Sequence, residues 1–424
     1  MDAIDAFLAR QSEVGVTESE GSFTVSGDRA ISKLASHQLP RNTAWVLKMV
    51  QGGVAGKCSA IEVSQGARSC AFRFRDARFG DLEDFRRAWF NPNPSLTAAQ
   101  RHLMVAMRTA GFSRRRPILI GHRCPRQGLR TLFWNSDKLS EIEPVDGNMA
   151  TRLKIGWPEE NEFVFHVSSS PLGRDLTIQS QKGVREGIAA EYKELQRFAV
   201  CCPVPLTVDA RPLNHFGTED ISMTRKALCF SAQEPESDER PLLQLPPLAN
   251  DVESLQGGAQ LAWTLYHSSE LEQSTVSWVN GGVVCQEQEL HLRPSRFRVR
   301  LFLPAEDLET DLTALHLRFP DPKEKNLRVA RGVLDFCREV GPGSPLIPHI
   351  VSAYGKQGKP WAVVAGLVLG GVILAPVTAG FSVLLGGLTA ISVALGSEES
   401  SKKRAFPAFE SFRSELERRY QGHV

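Results

Sequence analysis

The pattern of polar and apolar residues changes most sharply near the end of the chain. Residues 361–396 contain no charged side chain and consist mainly of aliphatic residues and glycine. A helix needs about 20 apolar residues to cross a bilayer, so this segment is longer than one span requires. Pro376 lies near its middle, where a proline interrupts a helix. The pattern therefore predicts two apolar helices, 361–375 and 377–396, that form a membrane hairpin.

Basic residues flank this segment on both sides. Lys356 and Lys359 precede it, and Lys402-Lys403-Arg404 follow it. Because Lys and Arg favour the cytoplasmic side of a membrane, both ends of the hairpin are expected on the cytoplasmic face. Small residues would let the two helices approach closely in lipid. The residues expected to form the hairpin contacts are Gly366, Gly370, Gly371, Pro376, Gly380, Gly386 and Gly387.

A second reading of the same segment is a buried Gly/Ala-rich hairpin inside a soluble core. Helices of soluble proteins usually keep a polar stripe, whereas the only polar side chains here are Ser and Thr. This difference favours association with membrane lipid, and glycine-spaced hairpins also suggest a homo-oligomer.

The rest of the chain alternates between strand-like and helix-like patterns. Thr43 is a suitable N-cap for a helix from Ala44 to about Ala55. Strands are predicted over 60–64 and 69–75, where Phe72 and Phe74 alternate with arginines. Further helices are predicted over 82–90, 96–109 and 186–200, and a hairpin over 117–134. Asn280-Gly281-Gly282, which lies between two β-branched runs, predicts another tight hairpin.

These patterns predict an α+β chain: a two-layer α/β sandwich, a second α/β domain and a C-terminal apolar helical hairpin. The predicted parts are a flexible N-terminus (1–22), a first domain (23–232), a linker (233–256), a middle α/β domain (257–341), a linker (342–360), the apolar hairpin (361–396) and a C-terminal amphipathic helix (397–424).

Composition narrows the class of protein. The chain has 424 residues, 23% charged residues and a net charge of +2, which excludes collagen-like, coiled-coil and wholly disordered chains. Its 8 cysteines include no Cys-x-x-Cys pair, so neither a disulfide scaffold nor a structural zinc site is expected. The first ten residues lack a basic region followed by an apolar stretch, so no signal peptide is predicted. Together with the hairpin, this places the protein on the cytoplasmic face of a membrane.

Three segments, taken in order, resemble the GHKL (Bergerat) ATPase module of the ninety-kilodalton heat-shock chaperones. The helix over 46–56 resembles the one that carries that family's Glu-x-x-x-Asn-x-x-Asp-Ala box. Residues 72–80 resemble its strand and Asp-x-Gly-x-Gly loop, and residues 194–214 resemble the end of the module. Residues 275–317 are similar to the middle domain of chaperone-like members. The resemblance covers about residues 20–340 and rests on the order of the motifs.

The resemblance also implies that this chain lacks the family's catalytic and metal-binding side chains. Lys48 stands where the family's water-activating Glu would be, Gly52 where its magnesium-binding Asn would be, and Ala55 at the second acid. A protonated lysine is not a general base, and glycine offers no side-chain ligand. The resemblance therefore implies no catalytic residue, no bound metal and no ATP hydrolysis. The resemblance implies that Asp76 and Gly80 are the residues that could still contact a nucleotide. No cofactor is expected, and ATP with magnesium is the one that the resemblance suggests for a test.

A simpler interpretation of Asp76 is that its carboxylate caps its own loop. Arg78 replaces a glycine of the family's loop and adds bulk where a nucleotide would need close approach.

A dense run of arginines suggests a second kind of site. The predicted basic patch comprises Arg114, Arg115, Arg116, Arg123 and Arg126, and no acid lies between residues 101 and 130. Such a patch would bind phosphate, nucleic acid or anionic lipid. The alternative is a solvated face that is balanced by acids from elsewhere. Aromatic residues are sparse there, so nucleic acid is not the expected partner.

Three hypotheses follow. The first is a non-catalytic, chaperone-like sensor or scaffold that is coupled to the membrane segment and acts in bacterial stress or defence with an unidentified protein partner. The second is an ATP-dependent GHKL chaperone-like switch. The third is a basic-patch protein that binds nucleic acid or anionic lipid.

Overall fold

The computed structural model describes much of the chain with gaps. The described residues are 33, 39–66, 68–91, 95–113, 116–124, 128–135, 138–142, 158–168, 178–213, 229–233, 242–245, 258–311, 315–319, 321–357 and 406–423. The predicted N-terminal part (1–22), most of the predicted linker 233–256 and the whole apolar segment 361–396 lie outside them.

The first sheet has eight strands in the order β5-β4-β3-β6-β2-β1-β7-β8. Its neighbours are antiparallel except β1 and β7, which are parallel. The strands are β1 (Ala60–Gly66), β2 (Ser69–Arg75), β3 (Ile118–Cys124), β4 (Gly128–Trp134), β5 (Leu139–Glu141), β6 (Phe163–Ser168), β7 (Leu206–Val208) and β8 (Arg211–Pro212).

Helices pack on this sheet through an aromatic core. They are α1 (Trp45–Ala55), α2 (Leu82–Trp89), α3 (Ala98–Arg108) with a π-helical turn (Thr109–Ser113), and α4 (Ile178–Phe198). Capping boxes begin α2 at Asp81 and α3 at Thr97, which explains why both helices start where they do. Phe74 of β2 meets Phe79 and Phe165 edge to face, so the loop after β2 is anchored in the core.

The second sheet has five strands in the order β12-β11-β13-β10-β9, with β11 and β13 parallel. They are β9 (Cys229–Gln233), β10 (Leu261–Glu272), β11 (Thr275–Asn280), β12 (Val283–Glu289) and β13 (Ser295–Pro304). A separate ribbon pairs β14 (Glu309–Thr310) with β15 (Leu317–Arg318). The helices of this half are α5 (Pro322–Glu339), α6 (Leu346–Gln357) and α7 (406–420).

The two halves share buried surface. Val279, Val283 and Phe302 of the second sheet belong to the same apolar cluster as Trp45 and Phe72 of the first half. A second cluster fills the space between β10, β11, β13 and the helices, and α7 contributes Phe409 and Phe412 to it. The tip of the β11–β12 hairpin therefore lies against the first half, which is where the candidate site is found.

The α+β class is confirmed by these two mixed layers. Two described elements lie at the predicted domain boundaries, which stay predictions. Residues 346–357 form helix α6, although 342–360 is predicted as a linker. Strand β9 pairs with β10 in the second sheet, although the predicted first domain extends to residue 232. Among the described residues, no helix is both long and apolar enough to span a membrane.

Candidate functional site

Helix α1 carries two buried polar side chains, Lys48 and Gln51, and Gln51 contacts the second half of the protein. Gln51, Gly52 and Ala55 lie three, four and seven residues after Lys48, so the four share one helix face. Lys48 is only 1% exposed, and its Nζ donates a hydrogen bond to Gln51 Oε1 at 3.0 Å. The Lys48 ammonium is therefore held inside the protein rather than displayed in a groove.

Gln51 carries this contact across the junction. Its Nε2 donates to the backbone oxygen of Asn280 at 3.0 Å and lies 3.8 Å from the Cys285 sulfur. Asn280 Nδ2 in turn donates to the backbone oxygen of Ala305. A short relay of hydrogen bonds therefore ties Lys48 of the first sheet's helix layer to the hairpin of the second sheet.

Burial controls the protonation of this site. Desolvation lowers the pKa of Lys48 to about 7, and the negative charge of Asp311 offsets part of that fall. His102 faces the same space from α3. Its pKa is lowered to about 3, first by burial and then by the charges of Lys48 and Arg101. Burial raises the pKa of Cys285 to about 12, so its thiol stays protonated at neutral pH.

The lowered pKa of Lys48 predicts a pH-dependent stability. In the unfolded chain a lysine titrates near about 10.4, so between pH 7 and 10 the unfolded state binds more protons than the folded state. Stability from this group therefore rises with pH through that window. From pH 7 to 8.5 the free energy of unfolding of the parent should rise by about 1–2 kcal/mol more than that of Lys48→Met. Urea unfolding at the two pH values measures this difference.

Lys323→Met is the matched control, because Lys323 is an exposed lysine at the start of α5. It should keep the parent's pH dependence. If Lys48→Met also kept it, burial would not be lowering the pKa of Lys48.

Asp76 lies in the loop after β2, and its surroundings resemble a capped turn. Its side chain is exposed, its φ is +52°, and its Oδ2 accepts a hydrogen bond from Ser59 Oγ at 2.6 Å. The nearby Phe79 is fully buried, and a Cβ on Gly56 would come within 2.3 Å of its ring. This loop is thus anchored by Phe79, while Asp76 stays at the surface.

Gly80 serves the local fold of the same loop. Its φ is +79°, a conformation that favours glycine, and an added Cβ would lie 2.9 Å from both Asp84 Oδ2 and Gln100 Nε2. Gln100 Nε2 donates to the backbone oxygen of Phe79 at 2.8 Å. The space beside Gly80 is therefore occupied by the two capping residues of α2 and α3.

The predicted basic patch is only partly described, and its best-described member is buried. Arg116 is 3% exposed and forms an ion pair with Glu191 of α4. Arg123 Nε donates to the backbone oxygen of Pro158 at 2.8 Å. Arg114, Arg115 and Arg126 lie outside the described residues. Arg116 is therefore a core residue and does not belong to an exposed basic surface, which corrects the sequence prediction for this position.

Sequence reasoning missed Glu191, which is the acid that neutralises Arg116. It is fully buried and also accepts a hydrogen bond from Trp45 Nε1 at 2.9 Å. The separation of 146 residues between Trp45 and Glu191 left no local signal for this pairing. The predicted membrane residues, Gly366 to Gly387, lie outside the described part of the chain, and no group of metal-binding side chains occurs within it.

Two solved structures have a distant likeness to this chain. One is the N-terminal domain of a DNA repair protein, with a TM-score of 0.37 and 8% identity over 75% of this chain and 99% of that chain. The other is the B subunit of DNA gyrase from Myxococcus xanthus, with a TM-score of 0.38 and 10% identity over 73% of this chain and 92% of that chain. No protein-family model and no curated protein matches the sequence. At these scores and identities the likeness leaves the family of the chain undetermined.

Proposed function

We propose that this chain is a non-catalytic sensor or scaffold, built on a degenerate GHKL-like module and a second α/β domain, and coupled to the membrane by residues 361–396. The observation that carries the proposal is the place of Lys48. It stands where the resemblance expects a water-activating acid, yet it is buried and hydrogen-bonded to Gln51. A general base must reach the water that it activates, whereas this side chain is buried and donates its hydrogen bond to Gln51 on its own helix.

The loop around Asp76 supports the same proposal. Ser59 already donates to the carboxylate, and Asp76 is exposed, whereas a bound base is usually held in a largely buried pocket. We therefore favour the loop-capping role of Asp76 over adenine recognition. Bacterial stress or defence remains the proposed setting, by analogy with architecture alone.

Nucleotide binding provides the first test. Isothermal titration calorimetry of the full chain with ATP and magnesium should give no saturable heat up to millimolar ATP, and no phosphate should be released. Asp76→Asn should behave like the parent, because Asp76 has no nucleotide contact to lose. Saturable binding that Asp76→Asn abolishes would instead establish the second hypothesis, an ATP-dependent switch.

Membrane insertion provides the second test. Helix α7 follows the apolar segment and places Phe409 and Phe412 in the second core, so truncation before the segment would also damage the fold. Point substitutions avoid this problem. The double variant Leu369→Arg, Leu384→Arg puts one charge in each predicted arm, at a cost of about 2.5–3.5 kcal/mol per charge for insertion.

The parent should sediment with vesicles of phosphatidylethanolamine and phosphatidylglycerol and release an entrapped dye, whereas the arginine variant should do neither. Leu369→Ile, Leu384→Ile is the matched control and should behave like the parent. Equal behaviour of the parent and the arginine variant would favour a buried hairpin and remove the membrane part of the proposal.

A further inference from the structure

A cleft of about 350 Å³ lies in the second half of the protein, between α5 and the ends of β10, β11 and β13. Its floor is apolar and is formed by Leu261, Trp278, Leu303 and Gly332. This volume and this mixture of an apolar floor with a few polar groups are typical of a site for a small organic molecule.

One face of α5 forms the wall of the cleft. The residues on it are Glu324, Leu327, Arg328, Arg331, Gly332 and Asp335, which recur at three- and four-residue intervals. The opposite face of α5 carries Val333 and Phe336 into the core. Leu327 is only half-buried and does not belong to that core, so it leaves part of its apolar surface open to the cleft.

The charged groups of the cleft differ in whether they already have partners. Arg328 is held by both oxygens of Asp307, at 3.1 and 2.6 Å, and by Glu324 at 2.6 Å. Asp335 pairs with Arg338 at 3.1 Å. Each carboxylate of the cleft is therefore engaged by a guanidinium, so these acids do not leave an unmatched acceptor.

One donor of the cleft, by contrast, has no acceptor among the described residues. Arg331 stands exposed at the rim, and no described side chain pairs with it. A guanidinium without a carboxylate partner can form charge-assisted hydrogen bonds with an anionic group of a ligand.

We propose that this cleft binds a small carboxylic acid with an apolar body, which lies against Leu327 and the floor while its carboxylate pairs with Arg331. This site goes beyond the proposed scaffold function, because it assigns the second half a ligand of its own. The chemistry needs one anionic group and one apolar body, and it involves no covalent step.

A series of probes that share one body tests the charge requirement. The probes are 4-phenylbutyrate, 4-phenyl-1-butanol and 4-phenylbutylamine, titrated into the full chain by calorimetry. The acid should bind at least about tenfold more tightly than the alcohol or the amine. Equal affinities, tightest binding of the amine, or no binding of the acid at millimolar concentration would overturn the proposal.

Substitutions locate the site. Arg331→Gln should weaken binding of the acid about tenfold and leave the alcohol unchanged, and Leu327→Trp should fill the cleft and abolish binding of both. Arg318→Gln, which changes an exposed arginine outside the cleft, is the matched control and should change nothing. The indole N–H resonance of Trp278, assigned by its loss in Trp278→Phe, should shift on titration with the acid. Binding that is unaffected by both Arg331→Gln and Leu327→Trp would place the ligand elsewhere and refute this site.

Discussion

Replacing Glu191 with alanine is expected to lower the free energy of unfolding by about 3–5 kcal/mol, the usual cost of breaking a buried ion pair. Glu191 is fully buried in α4 and pairs with Arg116, whose guanidinium lies 5.4 Å from the centre of the Trp45 ring. Glu191 also accepts from the Trp45 indole at 2.9 Å. The substitution leaves a buried cation and a buried N–H without their acceptor. Urea unfolding at neutral pH measures the loss.

Glu194→Ala is the matched control, one helical turn further along α4. Glu194 pairs with Arg41 at 2.6 Å, but the Arg41 side chain is half exposed, so solvent screens the pair. This control should lose no more than about 1 kcal/mol. The double variant Arg116→Met, Glu191→Leu should recover much of the stability that Glu191→Ala loses, because it leaves no unpaired charge. A loss for Glu191→Ala no larger than that for Glu194→Ala would show that the Arg116–Glu191 pair does not stabilise the fold.

Local signals in the sequence located many of the elements. The helix predicted from Ala44 to about Ala55 is α1 (Trp45–Ala55), and the strand predicted over 69–75 is β2 (Ser69–Arg75). The segment Asn280-Gly281-Gly282 connects β11 to β12, as the sequence predicts. Both glycines have a positive φ, which a tight turn of this kind requires. These features depend on residues that are close together in the chain, so they can be predicted without knowledge of the tertiary structure.

The helix α6 inside the predicted linker 342–360 has a physical explanation. Three prolines between residues 342 and 348 suggested a linker. Pro348, however, occupies the first turn of α6 (Leu346–Gln357), where a backbone N–H has no helical partner in any case. A proline that is costly in the middle of a helix is therefore tolerated at this position.

Charge pairing could not be anticipated in the same way. The arginine run between 101 and 130 contains no acid, and its electrostatic partners come from other elements. Arg116 pairs with Glu191, and Arg130 pairs with Glu141 and Asp81. Lys48 illustrates the same limit, because its position in a motif could be seen in the sequence but its contact with Gln51, and through it with Asn280, could not. Only the fold decides whether a charged run is a surface or a set of buried pairs.

The junction at the β11–β12 hairpin supplies the other large expected effect. Gly282 has a φ of +74°, and an added Cβ would lie 2.6 Å from Pro203 Cδ and 3.1 Å from Cys202 Cα. Neither neighbour is the mobile end of a side chain, so the hairpin itself must move. We expect Gly282→Ala to lower the free energy of unfolding by about 3 kcal/mol, from about 1–2 kcal/mol of backbone strain and a further 1–3 kcal/mol of overpacking.

Gly343→Ala separates these two contributions. Gly343 has a φ of +87°, and nothing lies within 4 Å of the position of its Cβ, so it should lose only the strain of about 1–2 kcal/mol. Gly282→Ala should also increase hydrogen exchange at Asn280 and at the Gln51 side of α1, which Gly343→Ala leaves unchanged. Equal losses of stability with unchanged exchange would mean that the hairpin does not hold the two halves together. A selective loss at Gly282, with faster exchange at Asn280 and Gln51, would instead establish that the packing of this hairpin holds the two halves together.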